Sequence, residues 1–365
     1  MWRRTALVGA VLALALTGTT VARADATLTL AEPSGPHRIG RAVLHLTDTG
    51  RPDPWVPAGD RELMVSLWYP ARTPSKVPAP YMTPAESKLY LEADQPDLPS
   101  DLFSKVVTHS TVDAEPLRER GGLPLVVLSP GFGLPRATLT GLAEELASRG
   151  YAVAGIGHNY EAAATSFPDG HTTSCVVCAD RDYPRIGAVR AEDVSFVLDQ
   201  LTGRHPAWPG GVPIDTGRTA MIGHSAGGFS TIPAMLRDPR VKAAVNMDGN
   251  FRYPNDIPVD RPMLMLGGPG HVPAGQDPTW GKTWTQLTGW KRWLTVDDIG
   301  HLSFTDLAPL AEQQGIPLQH LDGARVDTII RAYLTAFVDT HLRHTSTPLL
   351  NGPSPCFPEV HFHRP

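Results

Sequence analysis

The stretch Thr219-Ala220-Met221-Ile222-Gly223-His224-Ser225-Ala226-Gly227-Gly228 sets one serine among small residues where an apolar run stops. Gly223-His224-Ser225-Ala226-Gly227 fits G-x-S-x-G, a pattern whose physical content is a tight turn from strand to helix. Such a turn forces the serine into an unusual backbone conformation, and the flanking glycines leave room for neighbouring backbone. The hydroxyl then stands beyond the carboxyl ends of the strands, where open sheets of alternating strands and helices bind their ligands. Ser225 is the expected nucleophile. The plainer alternative is an ordinary serine in a glycine-rich turn.

A serine hydroxyl needs a base to become nucleophilic, and the base needs an acid to orient it. Where an elbow of this kind carries a triad, the acid follows the serine and the histidine comes last. The apolar run Val241–Met247 leads straight into Asp248, which therefore ends the next strand on the same side as Ser225. Asp260 falls in a loop, and Asp297 and Asp298 crowd the histidine candidate in sequence. His301 follows the last strand behind Gly300 and is the expected base; His271 is a weaker candidate. Two backbone N–H groups must receive the developing oxyanion. Ala226 supplies one, and Phe132 in the loop Ser129-Pro130-Gly131-Phe132-Gly133 supplies the other. Gly131, Gly133, His158 and His224 complete the expected substrate-binding set, although His224, beside the nucleophile, could instead pack or hydrogen-bond near the elbow and His158, at the end of the strand over 151–157, could be structural. This chemistry calls for no cofactor and no metal.

The elements that must hold these residues follow from the apolar pattern. Ala42–Leu46 and Leu63–Tyr69 read as strands of a hairpin-like start. Residues 71–122 are rich in proline and read as an irregular insertion with short helices. It either covers the site as a partial cap or decorates an edge. Tyr81, Met82, Leu89, Tyr90, Leu91 and Phe103 within it are expected to wall an acyl pocket near Phe132. From residue 123 apolar runs alternate with helical patterns: 123–129, 151–157, 219–222, 241–247, 262–266 and 293–296 as strands, and a closing helix carrying Val326, Ile330 and Phe337. The fold class is α/β, with a mainly parallel central sheet flanked by helices. Residues 25–365 read as a single domain.

Residues 1–24 have the form of a cleaved signal peptide: Arg3-Arg4, an apolar run from Ala6 to Leu16, and Ala22-Arg23-Ala24. The protein is expected to be secreted, with no integral membrane segment after cleavage. Removing three arginines takes the formal net charge from −5 to −8. That balance argues against nucleic acid as a partner and against capture by anionic lipid. An exported chain with Cys175, Cys178 and Cys356 is expected to hold a structural disulfide. Cys175 and Cys178 could close a small ring, or one of them could reach Cys356.

Taken together these segments resemble the α/β-hydrolase fold. More narrowly, Leu67-Trp68-Tyr69-Pro70, Val127–Gly133, Gly223–Gly228, Met247-Asp248 and Gly300-His301 look like the platelet-activating factor acetylhydrolase family and its bacterial esterase relatives. Pro130 stands where that family's loop often has a histidine. The resemblance implies a secreted serine ester hydrolase acting on a small-molecule ester or lipid, with short-acyl phospholipids as the implied substrates. The alternatives are a cutinase-like polyesterase, whose elbow is the same, and a non-catalytic binding protein on a hydrolase fold.

Overall fold

The computed structural model describes residues 27–365 apart from 209–210, 212 and 253–255, so the expected leader over residues 1–24 lies outside the described residues. β1 (Arg38–Pro52) and β2 (Asp60–Thr73) form the opening antiparallel hairpin. α1 (Pro84–Asp94) begins with a capping box, in which Thr83 Oγ1 accepts the Glu86 N–H and the Glu86 carboxylate accepts the Thr83 N–H. β3 (Ser110–Val112) then pairs parallel to β1, and β4 (Glu115–Pro116) pairs antiparallel to β2.

The alternating part runs β5 (Leu123–Ser129), α2 (Thr140–Ser148) and β6 (Ala152–His158), followed by a small hairpin, β7 (Thr165–Ser166) with β8 (Thr172–Thr173). Every residue of β5 and β6 is buried, as continuous apolar runs demand when helices cover both faces. The chain continues through α3 (Tyr183–Thr202), β9 (Ile214–His224), α4 (Ala226–Phe229), α5 (Thr231–Arg237), β10 (Val241–Met247) and β11 (Met263–Gly267). It ends with α6 (Pro278–Gln286), β12 (Lys291–Val296), α7 (Leu307–Gln313), α8 (Gly323–Leu342) and β13 (Val360–His363).

The sheet order is β13-β12-β11-β10-β9-β5-β6-β2-β1-β3, with β6, β5, β9, β10, β11 and β12 parallel. From β5 the chain steps to β6 on one side and later returns to β9 on the other. The carboxyl ends of β5 and β9 therefore flank a topological switch point, the usual ligand crevice of an open α/β sheet. Ser129 pairs with Gly223 there, which sets the loop after β5 beside the serine elbow. One face of the sheet packs on α3 and α5 through Ile186, Val194, Val197 and Ile232; the other packs on α2 and α8 through Leu142, Leu146, Ile329 and Phe337.

The insertion does two things. Its first half, α1 and the turn at Leu102–Lys105, buries Tyr81, Met82, Tyr90, Leu91 and Phe103 against Leu134, Leu307 and Leu310. Its second half, β3 and β4, joins the sheet edge. Its apolar side chains thus meet the chain beyond Phe132, at Leu134, whereas Phe132 itself packs in a different cluster. Cys175 and Cys178 are joined by a disulfide, and Cys356 is a free, exposed thiol.

Candidate active site

The serine elbow is built by close approach. A Cβ at Gly223 would lie 2.1 Å from the Gly227 carbonyl carbon, and one at Gly227 would lie 2.0 Å from the Ser129 carbonyl oxygen. Only glycine fits at either position, so the turn from β9 into α4 can be this tight. Ser225 sits at its apex with φ 53° and ψ −113°, a conformation that costs a non-glycine residue about 1–3 kcal/mol and recurs at functional sites.

Ser225, His301 and Asp248 are brought together, although 76 and 53 residues separate the bonded pairs. Ser225 Oγ lies 2.9 Å from His301 Nε2, and His301 Nδ1 lies 2.6 Å from Asp248 Oδ2. With its proton on Nδ1, the imidazole donates to the carboxylate and leaves Nε2 to accept from the serine hydroxyl. Asp248 is buried at the end of β10, and its Oδ1 accepts the Gly268 N–H at 2.7 Å. Asp297 is exposed and pairs with His361, and Asp260 and Asp298 are exposed as well. His271 faces the acid, not the serine. Its Nε2 stands 3.4 Å from Asp248 Oδ1, its Nδ1 stands 3.4 Å from Asp277, and its ring stacks on Trp280.

The Ser129–Gly133 loop beside the elbow is tied at both ends. Arg190 Nη1 donates to the Pro130 carbonyl at 2.5 Å and to Ser129 Oγ at 3.3 Å. Arg190 Nε donates to Glu161 at 2.7 Å, and the carbonyl of the same Glu161 accepts the Gly133 N–H at 2.9 Å. Gly133 also accepts the Ala163 N–H, so both of its backbone groups are committed to anchoring the loop. The Phe132 and Ala226 N–H groups bond to no other described residue.

Two of the expected substrate-binding residues are not at a ligand surface. His158 is 1% exposed, between Ser129 Oγ at 2.9 Å and Asp193 at 2.8 Å. It belongs to a buried ionic layer with Arg61, Asp53 and Glu161 beneath the loop. His224 is fully buried, and its Nε2–H donates to the His301 carbonyl at 2.9 Å. Gly131 lies directly over its ring, where a Cβ would come within 2.9 Å of Nδ1. His224 thus props the base loop from below. The sequence carried one signal for the ionic layer: Arg190 and Asp193 fall on the buried stripe of α3 that Ile186, Val194 and Val197 define.

Burial, with the neighbouring His301 second, lowers the His224 pKa to about 3. Folded, this ring stays neutral; unfolded, it binds a proton below about pH 6.5. Its contribution to stability is therefore complete above that value and is lost as pH falls toward 3. Burial moves His158 and His341 the same way. His224→Gln keeps a donor for the His301 carbonyl and should make the fall of Tm between pH 7 and pH 4 shallower. Parallel Tm curves for the two proteins would clear His224 of this role.

A family model described as platelet-activating factor acetylhydrolase, isoform II, matches residues 29–176, the part that holds the Ser129–Gly133 loop and stops before Ser225. A probable 1-alkyl-2-acetylglycerophosphocholine esterase of Arthroderma benhamiae is 26% identical over 380 residues, covering 91% of this chain and 93% of its own length. A bis(hydroxyethyl) terephthalate hydrolase of Streptomyces coelicolor is 30% identical over 159 residues, 42% of each chain. The solved structure of a ferulic acid esterase from Streptomyces cinnamoneus superposes with a TM-score of 0.83 at 42% identity, covering 93% of this chain and all of that one.

Proposed function

The chain belongs to the same family of α/β-hydrolase-type esterases as the ferulic acid esterase, 42% identical over that chain's whole length; from that premise, and from the match of residues 29–176 to the platelet-activating factor acetylhydrolase model, we propose that it is an exported serine esterase that cleaves short-acyl lipid esters through an acyl-enzyme. The observation that carries the mechanism is the unbroken chain from Ser225 Oγ through His301 to Asp248, at 2.9 and 2.6 Å. Ser225 attacks the ester carbonyl while His301 Nε2 takes the hydroxyl proton. Asp248 holds the imidazole in the right tautomer and stabilises its charged form. The Phe132 and Ala226 N–H groups receive the oxyanion, each contributing about 2.7–4 kcal/mol to the transition state. His301 then passes its proton to the leaving alcohol, and water, activated by the same ring, releases the acid.

The short-acyl lipid substrate is supported by the near full-length match to the acetylglycerophosphocholine esterase. Aromatic acid esters are a second reading, favoured by the ferulic acid esterase at 42% identity and by Phe132, Tyr183 and Phe229 meeting edge to face beside the elbow. Export is supported by the Cys175–Cys178 disulfide, which fits an oxidising compartment, and by the leader-like residues 1–24. Among the described residues no helix is long and apolar enough to cross a membrane.

A fluorophosphonate probe separates this reading from a binding protein on a hydrolase scaffold. One equivalent should bond to Ser225, as peptide mass mapping reads it, and esterase activity should fall in step. An unlabelled protein, or a label on another serine, would overturn the mechanism.

A further inference from the structure

We propose that the apolar cavity beside the base loop receives the alkyl chain of the leaving alcohol, which makes chain length on the alcohol side a determinant of substrate choice. The inference rests on the serine esterase reading above. The cavity encloses about 90 Å³. Leu91, Leu98 and Phe103 of the insertion line one side, and Leu307, Leu310 and Ala311 of α7 line the other. Leu302 is among its lining residues and directly follows His301 on the same short turn. Leu318 also lines the cavity, and its carbonyl lies against Gly300, where a Cβ would come within 2.9 Å. The cavity and the base therefore share one loop.

The chemistry says which half of the ester faces that loop. His301 Nε2 gives its proton to the oxygen of the departing alcohol, so that oxygen must lie beside the imidazole. The carbonyl oxygen must instead face the Phe132 and Ala226 N–H groups. An alkyl chain on the alcohol thus departs from the imidazole side, where the same turn carries Leu302.

The cavity is not a simple packing gap. Native interiors leave few voids larger than a water molecule. Here the rim also keeps Ile316 and Leu318 exposed at 40% and 38%, apolar surface that a bound chain would cover. A space of about 90 Å³ suits a short chain of a few methylenes. Each buried methylene should raise kcat/KM about four-fold.

Two substrate series test the proposal: acetates of ethanol, propanol, butanol, pentanol and hexanol, and p-nitrophenyl esters from acetate to hexanoate. In the natural protein kcat/KM should climb about four-fold per carbon along the alcohol series and level off after about three added carbons. Ala311→Phe fills the cavity and should flatten the climb to less than two-fold overall, while the acyl series keeps its order. Leu98→Phe, from the opposite wall, should do the same, so one variant stands if the other fails to fold. An alcohol series that is flat in the natural protein, or a climb that survives both substitutions in folded protein, overturns the proposal. So does a change confined to the acyl series. If no ester in either series is cleaved and the fluorophosphonate does not react, the esterase reading itself has failed; cleavage without an alcohol-length preference removes the cavity's role alone.

Discussion

Ser225→Ala is expected to lower ester turnover on the order of 10⁶-fold and Asp248→Asn about 10⁴-fold, both in a protein with unchanged Tm. The first removes the attacking oxygen. The second acts through a hydrogen-bond constraint visible at the acid. Asp248 Oδ1 accepts the Gly268 N–H at 2.7 Å, so an asparagine must keep its carbonyl oxygen on that side. Its NH₂ group then faces His301 Nδ1, where the carboxylate now sits at 2.6 Å. Two donors cannot share that contact, so Nδ1 becomes the acceptor and the proton moves to Nε2. An Nε2–H pointing at Ser225 Oγ cannot take the serine proton. The loss should therefore fall on kcat with little change in KM. Asp297→Asn and Asp298→Asn serve as controls, since Asp297 is exposed and engaged by His361. Near-normal turnover in Asp248→Asn, or a large loss in either control, would move the acid elsewhere.

What could be read from the chain divides along sequence distance. The elbow was legible because its cause is local: Gly223 and Gly227 flank the serine and supply the clearance the turn needs. Asp248 was legible because it ends an apolar run and His301 because its loop follows one, and parallel strands bring such ends to one edge. The parallel sheet from β5 to β12 followed from the same alternation. β13 was missed: Val360–His363 alternates apolar and polar, but four residues after a long loop are too short a run to stand out. For His158 and His224 the sequence left a binding role and a structural one both open, because burial depends on partners far away in sequence. His158 bonds Ser129 and Asp193, 29 and 35 residues off, and His224 bonds the His301 carbonyl, 77 residues off. The insertion was half legible. Its aromatic and leucine residues had to be buried, but nothing in the sequence said that Leu134, Leu302 and α7 would receive them.

Arg190→Met is expected to destabilise the protein by about 3–5 kcal/mol and to weaken catalysis in the molecules that remain folded. Methionine fills much of the same volume, so the loss comes from polar groups and not from a void. Glu161 is fully buried and would keep a carboxylate with only the more distant Arg61, at 3.7 Å, and Trp55 Nε1, at 3.2 Å, to offset it. The Pro130 carbonyl would lose its donor as well. Both losses fall on the loop that presents the Phe132 N–H, because Glu161 also anchors Gly133 through its own carbonyl. A loop released at Pro130 and Gly133 no longer holds that N–H on the oxyanion, and losing one such donor costs about 10²–10³ in kcat. Arg190→Lys restores the charge but not the fork that reaches Glu161 and Pro130 together, so it should recover stability more than rate. Urea unfolding gives the first quantity, and kcat measured well below the unfolding midpoint gives the second. A variant that loses stability yet turns over normally when folded would confine Arg190 to the core and detach it from the oxyanion loop.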